Sequence, residues 1–320
     1  MTVKGLVQQA ANRLHSELAR APKSVAGAYL YLISITSRAM LPRSISRRVM
    51  NSICGIGLEW PAISFRSRKV IVASGTEIRL VPHMGEFDQA VLFTRTLDYE
   101  RPVFEWLENN ASKRYDLIIE IGANVGVYTV FLDSLIKRDP MGRLKRIVSF
   151  EPSQEAYGRL VENLRANGTV SADAFRAAVG TRSGLESFFE PRGHLTNGSF
   201  IREFSALFSD SVQESVVTVV SAQELGRYYL NDAKVLIKID VEGFEPQLIE
   251  AMSAQISSYR PDLLIEVLPG TPERIEPIAA LNGYKKYLVA KGGLKESATL
   301  YSSDSHRDWI LMWPENAHAN

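Results

Sequence analysis

From Tyr115 onward the chain alternates between short apolar runs and longer stretches with helical spacing. The run Asp116–Ile121, DLIIEI, is too brief for a helix and is bounded by Gly122, which predicts a strand over 115–121 buried on both faces. Phe131, Leu132 and Leu135 then share one face of a helix predicted over 126–137. The same reading predicts strands over 146–151, 174–179, 234–240 and 262–268, and helices over 153–167, 244–256 and 272–282. A closing pair of strands is expected near 284–290 and 307–313. Strands and helices in this alternation predict a doubly wound α/β domain whose sheet is mostly parallel, with an antiparallel last strand. Upstream, Arg68–Pro82 alternates as a hairpin about Ser74-Gly75, and Phe87–Asn109 is helical in pattern with a break near Asp98–Pro102. Between Gly180 and Lys234 the alternation is interrupted. Two added strands, 185–190 and 216–220, flank the polar loop 192–200, an insertion of the kind that shapes a substrate pocket.

The pattern changes in the first 70 residues. Leu6, Val7, Ala10, Leu14 and Leu18 have helical spacing up to Pro22, and Val25–Ile35 forms an apolar run of 11 residues, short of the roughly 20 that span a bilayer. No transmembrane segment or signal peptide is expected; a helix packed on the α/β domain or on a second copy in a homodimer is. The alternative is peripheral membrane contact through Arg43, Arg47 and Arg48. The expected organisation is a basic N-terminal helical extension over 1–70, an α/β domain over 71–314 that opens on the hairpin, and a disordered tail over 315–320.

Composition changes this picture in two ways. The net charge of +1 conceals about +9 in residues 1–70 against about −8 in the remainder, so the extension is suited to an acidic surface and the acidic α/β domain is ill suited to nucleic acid. The single cysteine, Cys54, excludes an internal disulfide and a cysteine-based zinc site, which points to a reducing, cytoplasmic setting. The five histidines, His15, His83, His194, His306 and His318, form no H-x-x-x-H pair.

The candidate chemistry lies at predicted strand ends, where ligands of open α/β sheets bind. Glu120, Gly122, Asn124 and Gly126 form E-x-G-x-N-x-G between the first strand and its helix, with Thr129 just inside that helix. Glu151 ends the second strand, where an acidic residue accepts from ribose hydroxyls. Asn124 stands where a pyrophosphate-binding loop would carry glycine, which favours a cofactor without pyrophosphate, such as S-adenosylmethionine, over NAD. Ala178 and Val179 end the third strand, and Asp240, with Glu242 two residues on, ends the fourth. Asp240 is open to three roles: holding the cofactor's ammonium, acting as base, or binding a metal. Glu242 is the second candidate base, and Lys238 is assigned only a structural role. Glu266, charged within an apolar run, needs a partner, and a divalent metal on Asp240, Glu242 and Glu266 is chemically reasonable without being required. His194 is a candidate base on the acceptor side.

The blocks DLIIEIGANVGVYT, IVSFEPSQEAYGRLVENLRANG, AAVG, KVLIKIDVEGFEPQLIEAM and RPDLLIEV, in this order, resemble the FkbM-type methyltransferases over roughly Gly75 to Trp313. The chain departs from that pattern at Glu120, where aspartate is usual, and at Ser221–Glu224, where Leu-Asp is usual. The resemblance implies a Rossmann-like methyltransferase fold, S-adenosylmethionine as cofactor, and transfer to a hydroxyl of a sugar, glycan or glycosylated natural product. It also places a Tyr99-Glu100 pair near the cofactor. The alternatives are a dinucleotide-dependent oxidoreductase and a binding module that keeps the fold without turnover.

Overall fold

Strict alternation of burial partners within short apolar strands builds the central sheet of this computed structural model, which describes residues 25–30, 32, 65–72, 75–229, 232–303 and 307–317. In β4 (Leu117–Ile121) every residue is buried. Leu117, Ile119 and Ile121 belong to one core and Ile118 to another, because successive side chains leave opposite faces. β5 (Arg146–Phe150), β10 (Val235–Ile239) and β11 (Asp262–Glu266) repeat the pattern. On one face lie α1 (Arg101–Arg114) and α2 (Val127–Arg138); on the other lie α4 (Glu245–Ala251) and α5 (Ser253–Tyr259).

The strand order is β13-β12-β14-β11-β10-β4-β5-β6, with β6 at Ala172–Phe175, β12 at Lys285–Ala290, β13 at Gly293–Ser297 and β14 at Asp308–Met312. The five neighbouring strands β11, β10, β4, β5 and β6 are parallel, and β14 enters antiparallel between β11 and β12. From β4 the chain winds outward through β5 and β6, then returns to lay β10 on β4's other edge. The order therefore reverses between β4 and β10, opening a crevice at their carboxyl ends. This is the mostly parallel Rossmann-like α/β sheet expected from the pattern, with its antiparallel late strand. The added strand pair is present too: β8 (Gly184–Pro191) pairs antiparallel with β9 (Val212–Ser221).

Several elements differ from expectation. The strand expected over 174–179 is two strands. β6 ends at Phe175, the Ala177 N–H turns back to the Phe175 carbonyl, and β7 (Ala178–Gly180) pairs with β9 in a separate sheet, so Ala178 and Val179 do not end a strand of the main sheet. The helix expected over 244–256 divides into α4 and α5 at Met252, whose φ/ψ of −88°/2° leaves the helical range. Pro277, which offers no N–H, reduces the helix expected over 272–282 to Pro272–Ile275 and a 3-10 turn at Ala279–Leu281. Phe87–Asn109 holds a 3-10 turn at Phe87–Gln89, a helical turn at Ala90–Phe93 and β3 (Thr96–Leu97) before α1 begins. The tail opens with a helical turn, Pro314–Ala317, and β13 had no counterpart in the sequence pattern.

β1 (Arg68–Val72) and β2 (Thr76–Leu80) form the expected hairpin, with β3 added alongside β1. Of the N-terminal apolar run, residues 25–30 are helical with Ala26 and Leu30 buried. The expected helix over 1–24, Cys54, His15, His306, His318, Arg43, Arg47 and Arg48 lie outside the described residues. No described helix is long and apolar enough to cross a membrane.

The hairpin is tied to the sheet by α3 (Gln154–Asn167), which Ser153 caps by accepting the Ala156 N–H. Asn163 of α3, fully buried, accepts the Val81 N–H at 2.8 Å and donates to the Val125 carbonyl at 2.7 Å. One amide thus fixes the end of β2 to the turn after β4. Replacing it leaves two backbone groups without partners, so Asn163→Ala should cost about 2–3 kcal/mol of stability, measured by urea unfolding; an unchanged midpoint would contradict this role.

Candidate functional site

The crevice is set by how closely two turns approach. The Asp240 N–H donates to the Ile121 carbonyl at 3.0 Å, and a Cβ on Gly122 would lie 1.8 Å from the Asp240 carbonyl oxygen. At φ +86° Gly122 also sits in the left-handed region, so both space and backbone demand glycine there. Gly126, at φ +80°, does a different job: its missing Cβ leaves room for Leu160 of α3, 2.2 Å from where that carbon would be.

The cavity above these turns measures about 540 Å³, within the range of small-molecule sites. Gly122, Asn124, Glu151, Ala178, Val179, Asp240 and Glu242 all line it. So do Tyr99, Glu100, Lys238 and Glu266. Glu120, Gly126 and Thr129, expected to touch the cofactor, do not line it. Alternation in β4 puts Glu120 on the face under α2, where it is buried and accepts from the Thr129 hydroxyl at 2.6 Å and the Ser149 hydroxyl at 3.0 Å. These three residues support the turn from beneath. His194 does not line the cavity either; its ring stands 6.0 Å from Phe208.

The turn from Gly122 to Gly126 has no spare amides. Gly122 and Ala123 donate to the Phe150 carbonyl, Asn124 to Glu151, Val125 to the Asn124 side chain and Gly126 to the Ala123 carbonyl. Glu151 accepts from Asn124 with one oxygen, at 2.7 Å, and from the Ser153 N–H with the other, at 2.8 Å, leaving a lone pair on each. Burial pushes its carboxyl up to about 7 against those two hydrogen bonds.

Around Asp240 the site is crowded with charge. The Lys238 ammonium donates to Asp240 at 2.8 Å and stands 4.6 Å from the centre of the Tyr128 ring. Burial works against that ammonium, but the carboxylates of Asp240, Glu100 and Glu120 more than offset it and hold its pKa above the ordinary lysine value. Glu100 accepts from the Tyr128 hydroxyl, and its carboxyl is raised by burial and by Asp240. Glu266, half-buried and facing Asp240 and Glu100, is pushed up to about 9 by desolvation and those acids, and Asp308, its neighbour across the β11–β14 pair, to about 8 by desolvation and Glu100. Arg307 approaches Glu266 at 3.8 Å. Among the described residues no three His, Cys, Asp or Glu side chains are grouped to hold a metal ion.

Glu242 is held in an uncommon conformation, φ +54°. The buried carboxylate of Glu245 accepts from the Val241 N–H at 3.0 Å and the Gly243 N–H at 3.2 Å, the two amides on either side of Glu242. The insertion holds the same turn from above: the Ser199 hydroxyl donates to the Glu242 carbonyl at 2.8 Å and Asn197 reaches its side chain at 3.5 Å. Burial and Asp240 raise the Glu242 carboxyl well above the usual range. Beyond it, Phe188, Phe200, Phe204 and Phe208 wall the outer cavity.

Sequence reasoning missed Tyr128, Arg307, Asp308, Asn197 and Glu245. Tyr128 had a signal, being the second residue of the helix that follows the glycine motif. Arg307 and Asp308 had only their place at the start of the last strand.

With the geometry in hand, comparison with known proteins gives a family match to the methyltransferase FkbM domain over residues 120–310, more than half of the chain. Among solved structures, the methyltransferase FkbM from Methylobacillus flagellatus KT is similar at 15% identity and a TM-score of 0.40, over 62% of this chain and 44% of that one. The chain thus spans less than half the length of that protein. A SAM-dependent methyltransferase from Agrobacterium tumefaciens is similar at 11% identity and a TM-score of 0.39, covering 79% and 72% of the two chains. Precorrin-6y C5,15-methyltransferase from Geobacter metallireducens GS-15 is similar at 12% identity and a TM-score of 0.38, covering 67% and 88%. No curated protein matches.

The carboxyls of Glu120, Glu151 and Glu245, pushed up to about 7, and of Glu266, at about 9, hold protons more tightly folded than unfolded. Their contribution to stability is complete below the ordinary glutamate value of 4.5 and is lost as pH rises through those folded values. The melting temperature of the ligand-free protein should therefore fall between pH 6 and 9, and Glu266→Gln should flatten the upper part of that fall; a midpoint that rises over this range would refute the assignment. Separately, Glu245→Ala should free the Val241 and Gly243 amides at a cost of about 1–3 kcal/mol, whereas Glu245→Gln keeps an acceptor oxygen and should stay near wild type by urea unfolding. Equal losses in both variants would mean that the negative charge, not the two hydrogen bonds, is what counts.

Proposed function

The chain belongs to the FkbM methyltransferase domain family, and from that membership and the shape of the cleft we propose that it moves the methyl group of S-adenosylmethionine to a hydroxyl oxygen. The observation that carries this reading is the convergence, at the β4–β10 reversal, of the Gly122 turn, Glu151 and the Asp240–Glu242 turn on one cavity. The closed set of amides from Gly122 to Gly126 supports a cofactor without pyrophosphate, because a dinucleotide's phosphates would find no donors in that turn. Glu151, with one lone pair left on each oxygen, suits a pair of ribose hydroxyls. The acid-rich inner end of the cavity suits a ligand carrying a sulfonium and an ammonium group.

The cofactor would supply an activated methyl group, which passes to the acceptor oxygen as the sulfur–carbon bond breaks and a neutral thioether leaves. What the protein contributes is alignment of the two reactants and a place for the hydroxyl's proton. Asp240, held at 2.8 Å by Lys238, orients the reactants, and Glu242 on its braced turn is the candidate proton acceptor. No step requires a metal. The acceptor class we favour is a sugar, glycan or glycosylated natural product: the aromatic wall of Phe188, Phe200, Phe204 and Phe208 offers flat apolar surface to a ring that presents hydroxyls to the carboxylates. A cytoplasmic setting, in keeping with one cysteine, belongs to the same proposal.

Calorimetric titration should find S-adenosylmethionine or S-adenosylhomocysteine binding in the micromolar range, about −8 kcal/mol, without competition from NAD. Tighter binding of NAD would overturn the reading in favour of an oxidoreductase. In a folded Asp240→Asn variant, turnover should fall by roughly 10²-fold with cofactor binding nearly intact if the charge serves the acceptor. Parallel loss of both would assign Asp240 to the cofactor's ammonium instead.

A further inference from the structure

A second, larger hollow of about 1390 Å³ adjoins the cleft and shares Pro152 and Leu195 with it. It runs between α3 and the β8–β9 pair, and Arg159, Arg165, Arg176 and Arg192 line it. Its acids are already engaged. Glu155 pairs with Arg159 at 2.6 Å, Glu190 accepts from the Ser153 and Ser215 hydroxyls, Glu86 accepts the Leu195 N–H, and Glu162 stands 3.9 Å from His83. Three of the four arginines are not. Arg165, Arg176 and Arg192 have no side-chain partner among the described residues, and the buried Nη1 of Arg159 has none either. Arg165, Arg176 and Arg192 are exposed along this groove and open to a ligand, and planar guanidinium forks match phosphate and carboxylate oxygens. The chain's own first 70 residues, at about +9, carry the wrong sign to satisfy them.

We propose that this groove receives the anionic part, phosphate or carboxylate, of an elongated methyl acceptor whose hydroxyl-bearing end reaches the cleft past Pro152 and Leu195. The inference rests on the methyltransferase reading for the identity of the ligand as acceptor, but the anion site itself can be tested apart from it. The cleft is acidic and the groove is basic at its unpaired groups. An acceptor with a neutral end and a charged stem is therefore drawn in one direction only, which would select it over neutral polyols of the same length.

The test uses the full chain at low ionic strength, titrated by calorimetry with tripolyphosphate for the phosphate source, trigalacturonate for the carboxylate source and maltotriose as the neutral control. At least one anionic probe should bind ten-fold or more tighter than maltotriose and weaken as salt is raised. That affinity should drop at least ten-fold in the double variant Arg176→Glu, Arg192→Glu, whose S-adenosylhomocysteine affinity should be unchanged. Whichever anion binds identifies the source. If neither binds more tightly than maltotriose, or if charge reversal leaves the affinity in place, the groove is not an anion site. Failure of S-adenosylhomocysteine to bind the wild-type chain would instead count against the methyltransferase reading alone.

Discussion

One buried ammonium makes the acid-rich end of this sheet tolerable. Lys238 sits in a strand whose every residue is buried, directly across from Glu120 in the β4–β10 register, and reaches Asp240 at 2.8 Å. A charge in such a place is costly unless it is paired, and a carboxylate beside it without the ammonium would be costly too. Each therefore depends on the other. Glu100 and Glu120 have the same cation to face, and Tyr128 closes over it with its ring while binding Glu100 through its hydroxyl. Farther from Lys238, at Glu266 and Asp308, compensation thins and burial raises the carboxyls to about 9 and 8. The gradient from closely paired to loosely paired acid along one crevice leaves room for a cationic ligand.

The neighbouring turn obeys the opposite rule. Every amide from Gly122 to Gly126 is satisfied within the protein, so the turn offers shape and apolar surface but no anion site. Its polar contribution passes through Glu151, which the turn itself holds by the Asn124 N–H. The closeness of the two turns follows from Gly122 alone, since any side chain there would push the Asp240 carbonyl away and open the switch point.

Much of this was legible in the sequence, for identifiable reasons. The strands β4, β5, β10 and β11 are short apolar runs ended by glycine or acid, and such runs have few alternatives to a buried parallel sheet. Gly122, Asn124, Glu151, Asp240 and Glu242 were readable because they stand at the strand ends where the crevice must open. Glu120 misled because position in a motif says nothing about face: one residue before the strand's end, period-two alternation turns it under α2. Arg307 and Asp308 were hidden because they arrive from the antiparallel strand β14, whose place beside β11 is a long-range pairing that no local pattern encodes. The division of 174–179 was hidden for the same reason, since β7 is fixed by β9 farther along the chain, whereas β13 folds straight back on β12 from Ala290 to Gly293 and rests on a short turn.

Glu242 shows how the insertion and the sheet are joined into one device. Its carbonyl and side chain are bonded from above by Ser199 and Asn197 of the insertion, and its flanking amides are bonded from below by Glu245 at the start of α4. The left-handed conformation it adopts is disfavoured for a glutamate on its own and persists because both sides hold it. A residue that shares the cavity with the aromatic wall is thus positioned partly by the wall's own loop. A change at Asn197 or Ser199 that alters the outer cavity therefore also reaches Glu242, through its side chain and its carbonyl, so the shape of the cavity and the placement of this carboxylate are coupled in this fold.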